Sequence, residues 1–446
     1  MKRTANPREL AVHTLTGLEQ TGDFLREVLD LHIQQNPLSP VDRALYTELV
    51  YGTVRMRRSI DYVLSSFSRR PINKLPERIL HNLRLAVYQI MYLDRVPNYA
   101  VVNEAVKLAR RFGHQGTASF TNGVLRQVVR SKGRFEFPAK EDNIVEHLGV
   151  RHSFPNWIIE HWLDMFGAEE TEQLCQAMNK TPELHVRVNT LRISAEDLSR
   201  HFSQEGVATE PGRYAPDVLR VSPAHQVLRS PLLAEGMFYV QDESSALAAH
   251  ALGVNPGMTV YDLCSAPGGK TTHLAQLMND EGRIEAFDIS GSRLALVMEN
   301  AERLGISIIS TKVADAAKSL PLAPADAVLV DAPCSGLGTM GHRPDIRWRK
   351  SREEIEELVK VQRSILRNAV NYVRPGGHLL YCTCTLTAWE NEEMSRWFLK
   401  ENEDFIGEGL PDWLPKSGEI PWQRTFLPHR HSLDGFFVAL FRKRKT

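Results

Sequence analysis

The sequence contains few cysteines and no long apolar run. Five cysteines in 446 residues are too few for a disulfide framework, and their odd number would leave one thiol unpaired. No stretch of about 18 uncharged apolar residues occurs, and the first ten residues lack the apolar core of a signal peptide. We therefore expect a cytoplasmic protein that does not enter a membrane.

An excess of charge of one sign is also missing, since 54 basic residues balance 54 acidic ones. The distribution is uneven, however: residues 1–134 contain 21 Lys and Arg against 11 Asp and Glu. Such asymmetry suggests contact with a polyanion such as a nucleic acid, although a solvated charged surface explains it equally well. The length predicts two or three domains. For the oligomeric state we expect a monomer.

Hydrophobic periodicity divides the chain into three parts. Leu83, Val87 and Ile90 repeat at helical spacing, which predicts an all-α region. The polar stretch 133–143 is the predicted linker, and the alternating segment 184–191 predicts a strand in a small α+β module. Short apolar strands then alternate with helical segments, a pattern typical of a doubly wound α/β fold with a parallel sheet. The predicted domains are 1–134, 145–235 and 236–446.

A glycine-containing loop joins the predicted strand 259–263 to the predicted helix 271–278. It reads Asp262-Leu-Cys-Ser-Ala-Pro-Gly-Gly-Lys270 and contains neither the GxGxxG fingerprint nor the GxxxxGK[ST] phosphate loop. Strand-to-helix junctions of α/β folds bind nucleotide-like ligands. Asp288 ends the next predicted strand at about the spacing where an acid meets ribose hydroxyls, although a strand-capping aspartate explains it as well.

Two cysteine motifs follow later strands. Asp331-Ala-Pro-Cys-Ser-Gly-Leu-Gly338 comes after the predicted strand 327–330, and Tyr381-Cys-Thr-Cys-Thr385 ends the strand beginning at His378. Both strand ends should meet at one sheet edge, which would bring Cys334 within reach of Cys384. Packing thiols, a metal site and a disulfide are the alternatives to nucleophilic chemistry; the spacing is not that of a zinc site, so we expect no metal.

In these motifs the chain resembles the RNA cytosine-C5 methyltransferases, which use S-adenosylmethionine and carry an APGGK loop, a DAPCSG strand end and a TC[S] strand end. Its helical region resembles the antitermination factor NusB, so the combination is similar to the bacterial 16S ribosomal RNA enzymes of that family. The resemblance implies an all-α NusB-like domain, a small α+β module and a Rossmann-like methyltransferase domain.

The resemblance also implies roles for residues. Cys384 would be the nucleophile, Cys334 would serve product release, and Asp331 would position the base besides lying near the cofactor. Ser265 stands where alanine is usual, and Thr385 where serine is usual. The residues that would hold S-adenosylmethionine, with Asp288 on the ribose hydroxyls, are Cys264, Ser265, Ala266, Pro267, Gly268, Gly269, Lys270, Asp288, Asp315 and Asp331.

The expected reaction is methyl transfer to carbon 5 of a cytosine in small-subunit ribosomal RNA, through a covalent bond between Cys384 and a flipped or single-stranded base. A transfer RNA substrate and a non-catalytic RNA-binding assembly factor are the alternatives; the missing dinucleotide fingerprint argues against a dehydrogenase. The basic and aromatic segment 342–350 and five arginines (Arg55, Arg57, Arg58, Arg69 and Arg70) are candidate RNA contacts or exposed charges. Asp242 is a candidate helix cap.

Overall fold

The computed structural model describes residues 6–416 and 418–445. Within them the chain forms two compact units: the first extends to Asn179 and also includes Arg343–Arg349, and the second comprises the rest. These units are compact bodies rather than sequence domains, so the three predicted domain ranges stay a prediction. None of the described helices is long and apolar enough to cross a membrane.

The first unit is built from helices around an aliphatic core that includes Leu49, Leu83 and Val87. Side chains of Asn6 and Ser39 cap two of the helices, each followed by proline at the first helical position. Its helices are α1 (Pro7–Thr21), α2 (Leu25–Gln35), α3 (Pro40–Arg55), α4 (Arg57–Phe67), α5 (Glu77–Tyr92), α6 (Asn98–Phe112), α7 (Gln115–Ser131), α8 (Ile144–His152) and α9 (Asn156–Asn179).

A small antiparallel sheet, of strand order β2-β3-β1-β4, opens the second unit. Its core is formed by alternate side chains such as Val186 and Val188, together with Phe202 and Phe238. The predicted strand 184–191 therefore exists but ends at Val188. The elements are β1 (Leu184–Val188), α10 (Ala195–Gln204), β2 (Ala208–Pro211), β3 (Val218–Ser222), α11 (Ala224–Val227), α12 (Pro231–Ala234) and β4 (Phe238–Val240).

A mixed eight-stranded sheet, of order β10-β12-β9-β8-β5-β6-β7 with β11 against β12, forms the rest of the second unit. The remaining elements, of which α16 lies in the first unit, are α13 (Glu243–Leu252), β5 (Thr259–Asp262), α14 (Gly269–Leu277), β6 (Arg283–Asp288), α15 (Gly291–Leu304), β7 (Ile309–Val313), β8 (Ala325–Asp331), α16 (Ile346–Arg349), α17 (Arg352–Ala369), β9 (Val373–Thr383), α18 (Glu392–Glu401), β10 (Phe405–Gly407), β11 (Gln423–Phe426), α19 (Pro428–His431) and β12 (Phe436–Lys443).

The predicted fold class is confirmed, with one difference in the sheet. Strands β5 to β9 are parallel, as expected for an α/β domain, but β12 runs antiparallel to β9, β10 and β11. The carboxyl ends of β5, β6, β8 and β9 consequently lie side by side at one edge. That edge brings together the loops after these four strands and after β7, and these loops contain the predicted site residues.

Two side chains of the segment 343–349, Arg347 and Trp348, pack within the first unit and are therefore not the exposed RNA contacts that the sequence suggested. Arg347 is fully buried and donates to the carbonyls of Arg55 and Ser153, at 3.3 and 3.1 Å. Trp348 Nε1 donates to the carbonyl of Val54 at 2.8 Å. These side chains satisfy carbonyl groups of the unit itself, so they are structural anchors rather than a free basic surface.

Two of the five arginines proposed as phosphate contacts are also engaged inside the first unit. Arg55 is buried. Arg58 binds the carboxylate of Glu146 at 2.6 Å and the carbonyl of Phe154 at 2.6 Å. Only Arg57 among the three neighbours keeps a substantial exposed fraction, 41% of its side chain. Phosphate contacts are therefore not favoured at Arg55, which is buried, or at Arg58, whose guanidinium binds protein groups.

Candidate active site

The loop between β5 and α14 is shaped by glycine and tied to the neighbouring strand. Gly268 has φ of +100°, and a Cβ there would lie 3.0 Å from Val297 Cα, so a side chain would be both strained and crowded. Both the backbone N–H and the hydroxyl of Ser265 donate to the carbonyl of Phe287, at 2.8 and 3.0 Å. The loop thus presents backbone atoms and the N-terminus of α14 at the sheet edge.

Carboxylates follow four neighbouring parallel strands at this edge. Asp262 and Asp331 end β5 and β8, Asp288 ends β6, and Asp315 comes two residues after β7. Asp288 accepts hydrogen bonds from the backbone of Ala266 at 3.3 Å and of Ser290 at 2.9 Å. Asp315 accepts from the backbone of Ala317 at 3.0 Å and lies 3.5 Å from Lys318 Nζ. The three predicted acids, Asp288, Asp315 and Asp331, thus lie at the ends of adjacent parallel strands, and Asp262 is a fourth that was not predicted.

Two charged groups at this edge have shifted pKa values. Burial raises the pKa of Asp262 to about 7. The hydrogen bond from the hydroxyl of Thr271 opposes this rise, and the charge of Asp331 adds to it. Lys270 Nζ lies 2.7 Å from Asp331 Oδ2. Burial alone would lower the pKa of Lys270, but the Asp331 carboxylate outweighs it and raises that pKa. Lys270 is therefore a fixed cation beside Asp331, a role that its position at a helix start does not reveal.

The thiols of Cys334 and Cys384 face each other, with their sulfur atoms 3.4 Å apart. Each is partly exposed, whereas Cys382 on the same strand end is buried and donates to Asp331 Oδ1 at 3.6 Å. The hydrogen bond with Cys384, and then burial, raise the pKa of Cys334 well above its usual value. Cys334 consequently keeps its proton at neutral pH and can donate it to the sulfur of Cys384.

A buried carboxylate that the sequence did not indicate connects the two thiol loops. Glu390 accepts from the backbone N–H and the hydroxyl of Ser335, at 2.8 and 2.5 Å, and from the hydroxyl of Thr387 at 2.7 Å. Gln362 adds a fourth donor at 3.1 Å. Ser335 follows Cys334 and Thr387 lies three residues after Cys384, so Glu390 fixes the spacing of both loops.

Two groups of side chains outside the thiol pair could hold a metal ion. Among the described residues, two groups of side chains are close enough to hold an ion: Asp217 with His250 and His273, and Asp242 with His342 and Asp434. Neither contains a cysteine.

The predicted helix cap is confirmed, since the side chain of Asp242 accepts a hydrogen bond from the backbone N–H of Ser244 at the start of α13.

The site fits a ligand that carries hydroxyl groups and positive charge. The glycine loop leaves backbone room that a Cβ at residue 268 would fill. The acids Asp262, Asp288, Asp315 and Asp331 supply acceptors on adjacent strands, as S-adenosylmethionine requires for its ribose hydroxyls and cationic groups. The four carboxylate acceptors and the glycine loop together match that molecule.

Family models match three consecutive parts of the chain. Residues 5–130 match the NusB family, residues 154–228 match the ferredoxin-like domain of RsmF/B-like methyltransferases, and residues 249–442 match the 16S rRNA methyltransferase RsmB/F.

Individual relatives cover the whole length. A Bacillus subtilis protein named "Probable ribosomal RNA small subunit methyltransferase B" is 36% identical over 100% of both chains. The crystal structure of PH0851 has a TM-score of 0.82 at 30% identity and covers 99% of this chain and 100% of its own. NSun6 from Pyrococcus horikoshii, solved with the S-adenosylmethionine analogue SFG, has a TM-score of 0.61 at 26% identity, covering 66% of this chain and 100% of its own.

Proposed function

The chain belongs to the 16S rRNA methyltransferase RsmB/F family, and from this premise we propose that it methylates carbon 5 of a cytosine in small-subunit ribosomal RNA. The observation that carries the proposal is the pair of thiols, 3.4 Å apart, beside a loop suited to S-adenosylmethionine. Methylation of a cytosine at carbon 5 needs a nucleophile at carbon 6, and a thiol is well suited to that task.

The loop residues Cys264 to Lys270 and the acids Asp288, Asp315 and Asp331 would hold S-adenosylmethionine, with Asp288 on its ribose hydroxyls. When bound, this cofactor supplies an electrophilic methyl group to carbon 5 and leaves as S-adenosylhomocysteine. The loop's glycines admit the ligand close to the backbone, and the N-terminus of α14 faces it.

Cys384 acts first, as the nucleophile. Its thiolate forms a bond to carbon 6 of the cytosine, and the electrons of the 5,6 double bond make carbon 5 nucleophilic. The thiol of Cys334 donates a hydrogen bond to the Cys384 sulfur and so stabilises the thiolate. The two thiols thus have separate roles: Cys384 attacks the base, and Cys334, whose pKa the contact with Cys384 and burial raise, donates the hydrogen bond.

Cys334 acts second, at product release. Once the Cys384 sulfur is a neutral thioether, its hydrogen bond and charge no longer raise the pKa of Cys334, so Cys334 loses its proton to solvent more readily than before. The resulting thiolate takes the proton from carbon 5. The electrons of that C–H bond restore the 5,6 double bond and expel the Cys384 thiolate, which frees the methylated base.

Asp331 positions the base. One of its oxygens binds Lys270, and its side chain is 31% exposed, so it can also accept a hydrogen bond from the cytosine's amino group or protonated ring nitrogen. Lys270 Nζ, 2.7 Å from Oδ2, fixes the position of this acceptor. This interaction stabilises the electron-rich ring that forms after attack by Cys384.

The test is methyl transfer from labelled S-adenosylmethionine to protein-free small-subunit RNA, transfer RNA and partly assembled small subunits, followed by nucleoside analysis. We expect 5-methylcytosine in the ribosomal RNA. Label in transfer RNA alone would reassign the substrate. Binding of all three RNAs without transfer to any of them would favour the assembly-factor alternative.

A further inference from the structure

A groove of about 400 Å³ lies on the first unit between α6 and α7. Val102 and Val129 form its apolar part. The other side chains that line it are three asparagines, one tyrosine and two arginines: Asn98, Asn103, Asn122, Tyr99, Arg126 and Arg130. No Asp or Glu among the described residues lines this groove. Its lining therefore combines positive charge, carboxamides and one aromatic ring.

The two arginines of the groove are available to an outside partner. Arg126 and Arg130 lie one turn apart on α7, and both are exposed. Within the part of the chain that the structure describes, neither guanidinium has a hydrogen bond or an ion pair, and the nearby Asp94 lies 3.9 Å from Lys132 instead. Side chains at this spacing are about 5–6 Å apart, so the pair can bind successive phosphates of one strand.

The three asparagines lie beside these cations and are also open to a ligand. Asn98 and Asn122 are half-buried, and Asn103 is exposed. In the described structure their side chains have no hydrogen-bond partner, and the polar atoms of Asn98 and Asn122 stay accessible to solvent. A carboxamide offers both a donor and an acceptor, which matches the hydrogen-bonding edge of a base. A ligand that carries bases as well as phosphates therefore uses more of this groove than a simple anion.

Tyr99 provides a flat surface at the same groove. Its side chain is 74% exposed, against 51% for Phe24 and 47% for Trp413. An exposed aromatic ring can stack with an unpaired base, whatever the identity of that base. A duplex keeps its bases stacked on one another, so the ring favours a single strand.

We propose that the groove between α6 and α7 binds a single-stranded segment of the RNA substrate, with phosphates on Arg126 and Arg130 and one unstacked base on Tyr99. The proposal rests on the proposed function, since it names where the same RNA is held. An acidic segment of a protein partner fits less well, because carboxylates would pair with the arginines but have no planar ring for Tyr99. The surplus of basic residues within 1–134 also favours RNA at this unit.

The first experiment compares Arg126→Gln with the matched control Arg110→Gln. Arg110 is exposed near the end of α6, has no side-chain partner among the described residues, and does not line the groove. The Kd of the full-length protein for small-subunit RNA is measured at several salt concentrations. We expect Arg126→Gln to weaken binding by about threefold to tenfold and to reduce the slope of log Kd against log salt by about 0.7, the value of one phosphate contact on a single strand. Arg110→Gln should change neither quantity.

The second experiment tests the stacked base. Tyr99→Ala should weaken binding by about fivefold or more at an unchanged salt slope, because it removes stacking and no charge. Tyr99→Phe keeps the ring and should bind like the native protein. Oligouridine should compete for the groove better than an RNA duplex of the same length. The replaced side chains are exposed, so the Tm should stay at its native value in every variant.

A native Kd in either Arg126→Gln or Tyr99→Ala would overturn the proposal. Equal competition by the duplex and the single strand would overturn it too, because the groove would then act only as a charged surface. The Kd is measured without methyl transfer, so failure of the proposed activity would appear separately, as RNA that is bound but unlabelled.

Discussion

At the scale of single residues, the reactivity of the two thiols depends on a carboxylate that touches neither. Glu390 is fully buried and accepts four hydrogen bonds, two of them from Ser335 and one from Thr387. All four donate in these contacts, and two of them, the Ser335 N–H and the Gln362 amide nitrogen, can only donate, which favours a carboxylate here. The distance between Cys334 and Cys384 is therefore set by Glu390.

Replacing Glu390 with Gln should slow methyl transfer by about tenfold to a hundredfold, because the amide nitrogen would oppose a donor of Ser335 or Thr387. The Kd for S-adenosylmethionine should stay unchanged, and kcat should fall more than KM rises. Glu392→Gln is the control, since Glu392 accepts from Thr425 at 2.7 Å and touches neither thiol loop. A native kcat in Glu390→Gln would contradict the positioning role.

Asp262 gives the ligand-free protein a dependence of stability on pH. Its pKa is about 7 in the folded protein, against about 3.9 when unfolded. Between these values the folded state binds more protons, so the free energy of unfolding falls as pH rises from about 4 to 7 and then levels off. Asp262→Asn removes this loss of stability. The Tm of the variant minus the Tm of the native protein should therefore be larger at pH 8 than at pH 5, by roughly 5 °C. Equal Tm differences at both pH values would contradict this.

Residue types alone indicated the reacting thiols but not their support. The paired positions of Cys334 and Cys384 follow from two strand ends at one sheet edge, a rule of local pattern and topology. Glu390 and Lys270 act through contacts between segments that are distant in sequence, such as Glu390 with Ser335. The only sequence signal for Glu390 was a Glu-Asn pair six and seven residues after the nucleophile.

At the scale of elements, the small antiparallel sheet supports the glycine loop from outside. Arg187 on β1 is fully buried and donates to the carbonyl of Gly269 at 2.6 Å and to the hydroxyl of Thr272 at 3.0 Å. Its guanidinium also lies 5.1 Å from the ring centroid of Tyr239. The start of α14, where the cofactor should bind, is thus held by a strand of the small sheet.

Arg187→Ala should raise the Kd for S-adenosylmethionine by about tenfold or more, because the carbonyl of Gly269 loses its donor and the loop loses its support. Isothermal titration calorimetry measures the change. Arg220→Ala in the neighbouring strand β3 is the control, since Arg220 pairs with Glu183 and Glu210 at the surface. An unchanged Kd in Arg187→Ala at native Tm would show that the small sheet does not support the loop.

The local sequence pattern predicted the strands and helices around the site more accurately than it predicted the antiparallel strands at one side of the sheet. The predicted strand 259–263 and helix 271–278 match β5 and α14 to within two residues, because an apolar run and the glycine pair before the helix mark these elements. The apolar run of β12 gave no sign of its antiparallel direction, since a buried strand reads as continuously apolar in either direction. Pairing between β9 and β12 is a tertiary choice that no local period encodes.

At the scale of the whole molecule, the sequence order of domains does not match the packing. Residues 343–349 follow the second motif closely, yet Arg347 is buried in the first unit. A basic and aromatic segment looks the same in sequence whether it is exposed or buried, so the sequence did not indicate that Arg347 is a buried anchor. The net positive charge of residues 1–134 is unaffected, because that count does not include residues 343–349.

The most direct test of the account is trapping of the covalent complex. Native protein, Cys334→Ala and Cys384→Ala are incubated with S-adenosylmethionine and small-subunit RNA, denatured, and resolved by gel electrophoresis. Cys334→Ala should accumulate a denaturation-resistant protein–RNA adduct, because the methylated base cannot be released, and Cys384→Ala should form neither adduct nor product. Full activity of Cys384→Ala, or a covalent RNA adduct of the Cys384→Ala protein, would contradict the account.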